Sequence, residues 1–585
     1  MKITTSILLC LLLIYVYGIH EPFSFSASVS YEPQIYSFLL SITSLLIMAA
    51  RLIYKPVRTT VDMYAVIIMI IGLILYGVHY YSPDYSRNNQ HFSSICSFAL
   101  LAPATIAFLS KRKMHIILLS SIIVMVVFLF YSTYLLLQIP FFSISEIPIH
   151  FTGPFNNSGI FCCYLVLHFP IIVYYTQFWS KRKSFVLFFQ TLLLIFFITL
   201  IYLCESRTAL LMLLGSLFFL KGKQVVIAIK SHISLRKRWI LLICSILLLG
   251  LFLINIKRGS TSGRILKLQV VSSISPKNFV AGVGIGRFPY FYPHWQSEYF
   301  RNNVELSTAL KLSADTSYLS FNEFVELLTE IGIIGFLIII FILFRPIFAN
   351  DGQTFTIMVR CLLLSILISG STTYTWHCTY FLGALLICLT YLYKQRIDSN
   401  ALNATSRLNY LLGIAIVITI YFLSIEIRDQ YYTAKWKETK LMANTKQRIA
   451  NLKSIYPRMN NRGRFLADFA NILQVSDSTI VPAIEMYIQS EKYITSHEVQ
   501  LALASCYKRT GDLKEAFDRY FWFSCYVPNK FTPKYEMLQL AQQLNYCQTV
   551  KEIANQILRQ PIKIPSNKIT QIKKEAKIFV NSKCQ

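Results

Sequence analysis

Residues 181–208 read KRKSFVLFFQTLLLIFFITLIYLCESRT. A basic triplet, Lys181-Arg-Lys183, precedes an apolar run over 184–204, and Glu205-Ser-Arg-Thr208 follows it. A helix that crosses a bilayer needs about 20 largely apolar residues. Lys and Arg are retained in the loops on the cytoplasmic side. The stretch therefore predicts a membrane span with 181–183 inside and 205–208 at the outer surface. Comparable runs lie near 3–19, 35–51, 62–80, 93–110, 115–137, 158–177, 207–220, 239–256, 331–349, 355–371, 376–393 and 408–426. The run at 207–220 is short, and that at 355–371 carries Arg360.

Charge fixes the register of these runs. Arg51, Lys55 and Arg58 mark one inner loop, Lys111, Arg112 and Lys113 another, and Lys181 to Lys183 a third. Lys221, Lys223, Lys230, Arg236, Lys237 and Arg238 mark a fourth, and Lys394, Arg396 and Arg407 a fifth. The alternate segments 20–34 and 138–157 hold no Lys or Arg. With the N-terminus inside, every basic loop falls on one side, and 257–330 and 427–585 fall on the other. The run after Lys2 has no small-residue cleavage pattern behind it and reads as a retained first helix. The expected fold is all-α: a polytopic bundle of about 12–13 spans over 1–427 with a large outer loop at 257–330, then a soluble helical domain over 428–585.

Composition agrees with that reading. Of 585 residues, 55% are hydrophobic and 14% charged, with mean hydropathy +0.50; a soluble chain carries about 25% charged residues. Many of the basic residues behind the net charge of +28 sit in short loops between apolar runs, as retention signals do, which argues against a nucleic-acid partner. The 13 cysteines are scattered without a C-x-x-C pair, so neither a zinc site nor a disulfide framework is indicated.

The tail differs in kind. Ala504, Tyr507, Gly511, Ala516, Tyr520 and Pro528 match the small and aromatic spacing of a tetratricopeptide repeat, with weaker copies around Ala483 and Tyr487 and around Ala541 and Ala554. Such helix pairs bury their apolar faces against neighbouring pairs. An ordinary helical bundle is the alternative.

Four outward places carry residues able to do chemistry. The first is His150-Phe-Thr-Gly-Pro-Phe-Asn-Asn-Ser-Gly159, where Asn156 and Asn157 offer amides at the membrane surface, or simply cap a helix. The second is Glu205-Ser-Arg-Thr208: Arg207 sits at a helix mouth rather than in a basic loop, either as a functional cation or as a snorkelling partner of Glu205. The third is the outer loop, with Lys257, Arg258, Arg264, the run Gly282-Val-Gly-Ile-Gly286, Arg287, His294, and rings at Tyr290, Tyr292, Trp295 and Tyr299. Guanidinium groups suit phosphate oxygens, and the rings suit either sugars or the membrane interface. The glycine run lacks the surroundings of a nucleotide loop. The fourth is Ser320 to Gly332, where a helix aligns Asn322, Glu326 and Glu330 on one face and calls for nearby cations.

Taken in order, Phe155-Asn-Asn-Ser-Gly159, Ser206-Arg-Thr-Ala209, Gly263-Arg264, Gly282 to Gly286 with Phe288, and Asn322 with Glu330-Ile-Gly332 and Gly335 resemble the O-antigen ligase and polymerase superfamily of membrane glycosyltransferases. The tail resembles the repeat domain appended in one subgroup. The resemblance covers roughly 150–345 by motif and the whole chain by architecture. It implies a bacterial inner-membrane enzyme with a periplasmic C-terminal domain, active in lipopolysaccharide or cell-envelope assembly. In this reading an acceptor hydroxyl attacks the anomeric carbon of a glycan held on an isoprenoid diphosphate. The acceptor is a glycolipid such as the lipopolysaccharide core, or a protein. Arg207, Arg264 and Arg287 would steady the leaving diphosphate, with Asn156, Asn157, Lys257, Arg258, His294, Glu326 and Glu330 binding substrate. No metal, nucleotide or other cofactor is implied, and the repeats would offer a surface for a protein partner.

One departure stands out. Many family members carry His-Asn where this chain has Phe321-Asn322, and that histidine is the proposed base. Glu323 is the nearest substitute beside Asn322, ahead of Glu326, Asp315 and His294; the alternative is that the leaving-group chemistry needs little help from a base. The rival readings are a repeat-unit polymerase of the same superfamily, a transporter that flips the lipid-linked glycan, and a non-enzymatic surface scaffold.

Overall fold

The computed structural model describes residues 109–581 except 139–146, 156, 181, 233–257, 274–275, 304–305, 317, 350–351 and 397–404, with scattered positions between 67 and 105. The spans expected at 3–19, 35–51, 62–80, 93–110 and 239–256 lie wholly or largely outside the described residues, as do Asn156 and Lys257. Arg258 is described in its backbone alone.

Every regular element among the described residues is helical. Five helices there are long and apolar enough to cross a membrane: α1 (Lys111–Leu137), α2 (Ser158–Trp179), α3 (Lys183–Leu203), α8 (Glu323–Phe344) and α9 (Thr354–Thr372). Shorter apolar stretches occupy Arg207–Leu220, within α4 (Arg207–His232), and Tyr380–Lys394, within α10 (Thr379–Lys394). Burial sorts them. The apolar windows of α2 and α9 are 78% and 72% buried, whereas that of α3 is 17% buried. The first two form the centre of the bundle. α3 turns Phe185, Leu187, Phe188, Leu192 and Ile195 outward, a surface suited to lipid.

Local chemistry sets the helix starts. The side chains of Ser110, Asn157 and Asn322 accept hydrogen bonds from the first free amides of α1, α2 and α8. A break lies inside α8, where Gly332 takes φ +70° and separates the acidic first turns from the apolar remainder.

The loop over 258–313, expected from the sequence to lie outside, holds α5 (Arg258–Ser272), α6 (Phe288–Asn302) and α7 (Thr308–Ser313). Leu266, Val270, Phe288, Tyr292, Phe300 and Ala314 give it an apolar core of its own. Its glycine run clasps the start of α8. Val283 and Gly284 donate their amides to the carbonyls of Thr329 and Glu330 at 3.0 and 2.9 Å. The approach requires glycine on both sides. A Cβ on Gly282, at φ +77°, falls 2.3 Å from the Glu330 carbonyl oxygen, and one on Gly332 falls 2.1 Å from that of Val280.

α11 (Thr405–Lys440) continues through residue 427 without interruption, so the change from apolar to polar surroundings occurs along one rod. Beyond it lie α12 (Thr445–Met459), α13 (Gly463–Leu473), α14 (Ile480–Glu491), α15 (His497–Thr510), α16 (Leu513–Tyr526), α17 (Phe531–Gln543), α18 (Cys547–Arg559) and α19 (Asn567–Asn581). Arg462 reaches back to Asp429 of α11, Nη2 to Oδ2 at 2.9 Å, with both side chains buried. Ala483, Ala504, Ala516, Ala541 and Ala554 are fully buried, allowing neighbouring helices to approach closely.

Candidate functional site

The expected motifs come from distant parts of the chain, and several meet at the ends of α2, α4, α8 and α9. Asn157 uses both ends of its amide: Oδ1 caps the Ile160 amide at 3.1 Å, and Nδ2 donates to the Tyr374 hydroxyl at 2.8 Å. Ser206 accepts from the Ala209 amide and donates to the Gly159 carbonyl, both at 3.3 Å. Thr372 donates to Thr208 at 3.0 Å. Arg207, the first residue of α4, donates from Nη1 to Thr261 Oγ1 of α5 at 2.7 Å.

Thr261, Arg264 and Lys267 follow one another at intervals of three along α5 and share one face. Burial, with Arg207 nearby, pushes the Arg264 guanidinium down from its ordinary range. Its Nε is buried with no hydrogen-bond partner among the described residues. One turn on, Lys267 is 7% exposed. It donates from Nζ to the Leu319 carbonyl at 2.6 Å and sits 4.0 Å from the centre of the Phe321 ring. Burial pushes its ammonium down to about 7, with Asp315 and Glu326 pulling the other way. Phe321 adopts φ +58°, a left-handed conformation that is costly for a bulky side chain. Its ring packs edge-on to Tyr374, with centroids 5.2 Å apart.

The acidic turn of α8 is fully engaged. Glu323 accepts the Trp376 amide on Oε1 at 2.6 Å. His377 lies between the two carboxylates, Nδ1 at 3.3 Å from Glu323 Oε1 and Nε2 at 3.1 Å from Glu326 Oε1. Glu326 Oε2 also accepts from the Ser320 amide and hydroxyl, at 3.3 and 2.9 Å. These three side chains are donors of the kind that hold metals. Their carboxylates, however, face opposite nitrogens of the ring. That is the arrangement of an imidazole donating twice, whereas a ligated ion needs both carboxylates beside one nitrogen lone pair. Asn322 uses its Oδ1 to cap Phe324 and Val325.

Other expected residues lie elsewhere. Glu330 Oε1 accepts the Phe288 amide at 3.1 Å, which places it at the glycine clasp. Arg287 is at the same clasp, with Nη1 3.4 Å from the Val283 carbonyl and its guanidinium over Phe291. His294 faces the tail: Nε2 lies 3.1 Å from Thr495 Oγ1, and the ring packs on Trp522. Asp315 is exposed and accepts the Thr316 amide at 2.7 Å. Three residues of the cluster, Lys267, Tyr374 and His377, were not among those expected from the sequence. Lys267 was signalled by its spacing from Arg264. Tyr374 and His377 sit in a short polar turn at the mouth of a span.

No protein-family model matches the chain, and no curated protein is detectably similar to it.

Proposed function

We propose that the protein is a membrane glycosyltransferase of the O-antigen ligase and polymerase type. It moves a glycan from an isoprenoid diphosphate to an acceptor at the outer face of a bacterial inner membrane. The observation that carries this reading is the meeting of Arg207 and Arg264, joined through Thr261 and α5, with Asn157 and the acidic turn of α8 at the helix ends. Cations gathered there suit a diphosphate leaving group whose lipid tail lies in the membrane. As the bond from the anomeric carbon to phosphate breaks, negative charge grows on the departing oxygen. A preorganised donor aimed at such charge is worth about 2.7–4 kcal/mol. The buried Arg264 Nε is suited to that task, because a guanidinium binds phosphate through paired N–H groups.

Glu323 holds the Trp376 amide and His377. Its role in this account is to fix the 374–377 turn against α8, so the proton of the acceptor hydroxyl goes to another group. The tail serves as a periplasmic tetratricopeptide-like array. In support, Ala504, Ala516, Tyr520, Ala541 and Ala554 are buried between successive helices, as the repeat pattern requires. A transporter would concentrate ionisable groups within the bundle. His168 and Arg360 are buried on the central helices α2 and α9, whereas the larger cluster lies at their ends.

The test is the carrier itself. Cells lacking this protein are expected to accumulate full-length glycan on the isoprenoid diphosphate, with the acceptor bare. Single repeat units stalled on the carrier point to the polymerase, and an unchanged carrier pool overturns the reading.

A further inference from the structure

We propose that His377 is a positioning residue for glycan transfer: a cation between Glu323 and Glu326, it fastens the 374–377 turn to the start of α8 and so sets the groups around Arg264. The inference rests on the glycan-transfer reading and adds a residue to the same site.

Geometry carries the assignment. Glu323 and Glu326 stand three residues apart on α8, where side chains share a face and like charges repel. Both are buried, and buried carboxylates need a partner of opposite charge. The imidazole lies between them, Nδ1 3.3 Å from Glu323 and Nε2 3.1 Å from Glu326. A neutral ring has one N–H and would turn a bare lone pair toward the other carboxylate, whereas an imidazolium has an N–H for each. Burial opposes the charged ring, but Glu326 and Glu323 outweigh it and hold His377 well above its ordinary range. The other ionisable groups of this cluster are Glu330 on α8, whose carboxyl His377 pulls down, and Lys267 on α5, whose ammonium Glu326 favours.

Each end of the bridge leads to the site. On the α8 side, Glu326 accepts from the Ser320 amide and hydroxyl, and Ser320 Oγ accepts the Asn322 amide at 3.1 Å. Phe321, between them, is thereby held in its left-handed conformation with its ring against Lys267. On the turn side, Glu323 holds the Trp376 amide, and the Thr375 hydroxyl pairs with that of Ser369 at 2.8 Å. Tyr374 then receives the Asn157 amide, packs on Phe321 and feels the charge of Arg264. His377 acts through these neighbours. Without its charge the two carboxylates repel, and the turn and Ser320 move apart.

Full-length protein in lipid nanodiscs, given an isoprenoid-diphosphate-linked glycan and an acceptor, tests this. H377N should lower turnover by about 10²-fold, the cost of a misplacement of about 1 Å. The donor KM should stay within about threefold, because the arginines remain. Adding Glu326→Gln to H377N removes the unmatched carboxylate and should raise turnover about tenfold over H377N alone. A ring needed only for its shape gives no such recovery. The charge has a readout independent of activity. A raised histidine keeps its proton below the ordinary value of about 6.5 and above it, losing it only as pH rises through the raised value. The ring resonances of ¹⁵N-labelled His377, assigned by their loss in H377N, should therefore show both nitrogens protonated at about pH 7. A neutral ring at that pH, full turnover in H377N, or no recovery in the double variant overturns the assignment and leaves the transfer reading intact. An unsubstituted protein that transfers no glycan while His377 stays doubly protonated overturns the transfer reading, and the positioning role with it.

Discussion

Polar side chains in the long apolar helices and those in the 258–313 loop solve different problems. Along α1 and α3, Ser121, Thr133, Thr191 and Thr199 return their hydroxyls to carbonyls three or four residues back in the same helix. The loop and tail add long-range bonds to such local ones. Gln296 donates from Nε2 to the carbonyls of Asp315, at 3.2 Å, and of Tyr526, 230 residues away, at 2.6 Å. Asn529 donates to the carbonyls of Lys311, Leu312 and Ala314 at 3.2, 3.2 and 2.7 Å. Thr495 donates to the Tyr290 carbonyl at 2.7 Å, and Tyr290 to that of Glu491 at 3.2 Å. A helix in lipid must satisfy its own backbone, so each is nearly self-contained. The loop over 258–313 is not: it is clamped between the acidic turn of α8 and the tail, and the candidate site lies along its first helix.

Breaking the inner clasp should have the largest effect. Gly282→Ala adds a Cβ 2.3 Å from a backbone oxygen at a left-handed position. The backbone there must move, at a cost above the ~1–2 kcal/mol of left-handed strain alone. Transfer should fall to background, and limited proteolysis should cut within 276–303 while α1 to α4 stay protected. Wild-type protease resistance in this variant would remove the clasp from the account.

The outer clamp should matter less. Asn529→Ala takes a donor from the carbonyls of Lys311, Leu312 and Ala314, the last of these contacts buried, a loss of about 1–3 kcal/mol. Thermal melts should show the tail and loop unfolding earlier, with partial loss of transfer. Thr199→Ala, its counterpart on the lipid-facing surface of α3, should change stability by no more than about 0.5 kcal/mol. Equal effects from the two substitutions would erase the contrast between the regions.

The same contrast explains what the sequence could tell. Apolar runs announce helices because each helix closes its own hydrogen bonds, and the runs at 115–137, 158–177, 184–204 and 355–371 each correspond to a long apolar helix. The run expected at 331–349 begins earlier, at Glu323, because the acidic turns are helical too. Arg207, Arg264 and Asn322 could be picked by residue type and position. Their neighbours could not. His377 meets Glu323 only because the 374–377 turn folds against α8, a contact 54 residues apart in the chain. His294 resembled a substrate group from its outward place, yet burial against the tail holds its imidazole below the ordinary range. Glu323 was favoured as base by adjacency to Asn322, and adjacency gave no hint of the Trp376 amide that occupies it.

The central claim is that the outward arginines act on a departing diphosphate, and purified protein tests it most directly. Full-length protein in vesicles would be given an isoprenoid-diphosphate-linked glycan and an acceptor, and product would be followed for the unsubstituted chain, Arg264→Ala and Arg264→Lys. The account predicts transfer by the first, a loss of about 10²–10³-fold in the second, and poor rescue in the third because an ammonium cannot make the forked contact. Full activity in Arg264→Ala at normal abundance would contradict it.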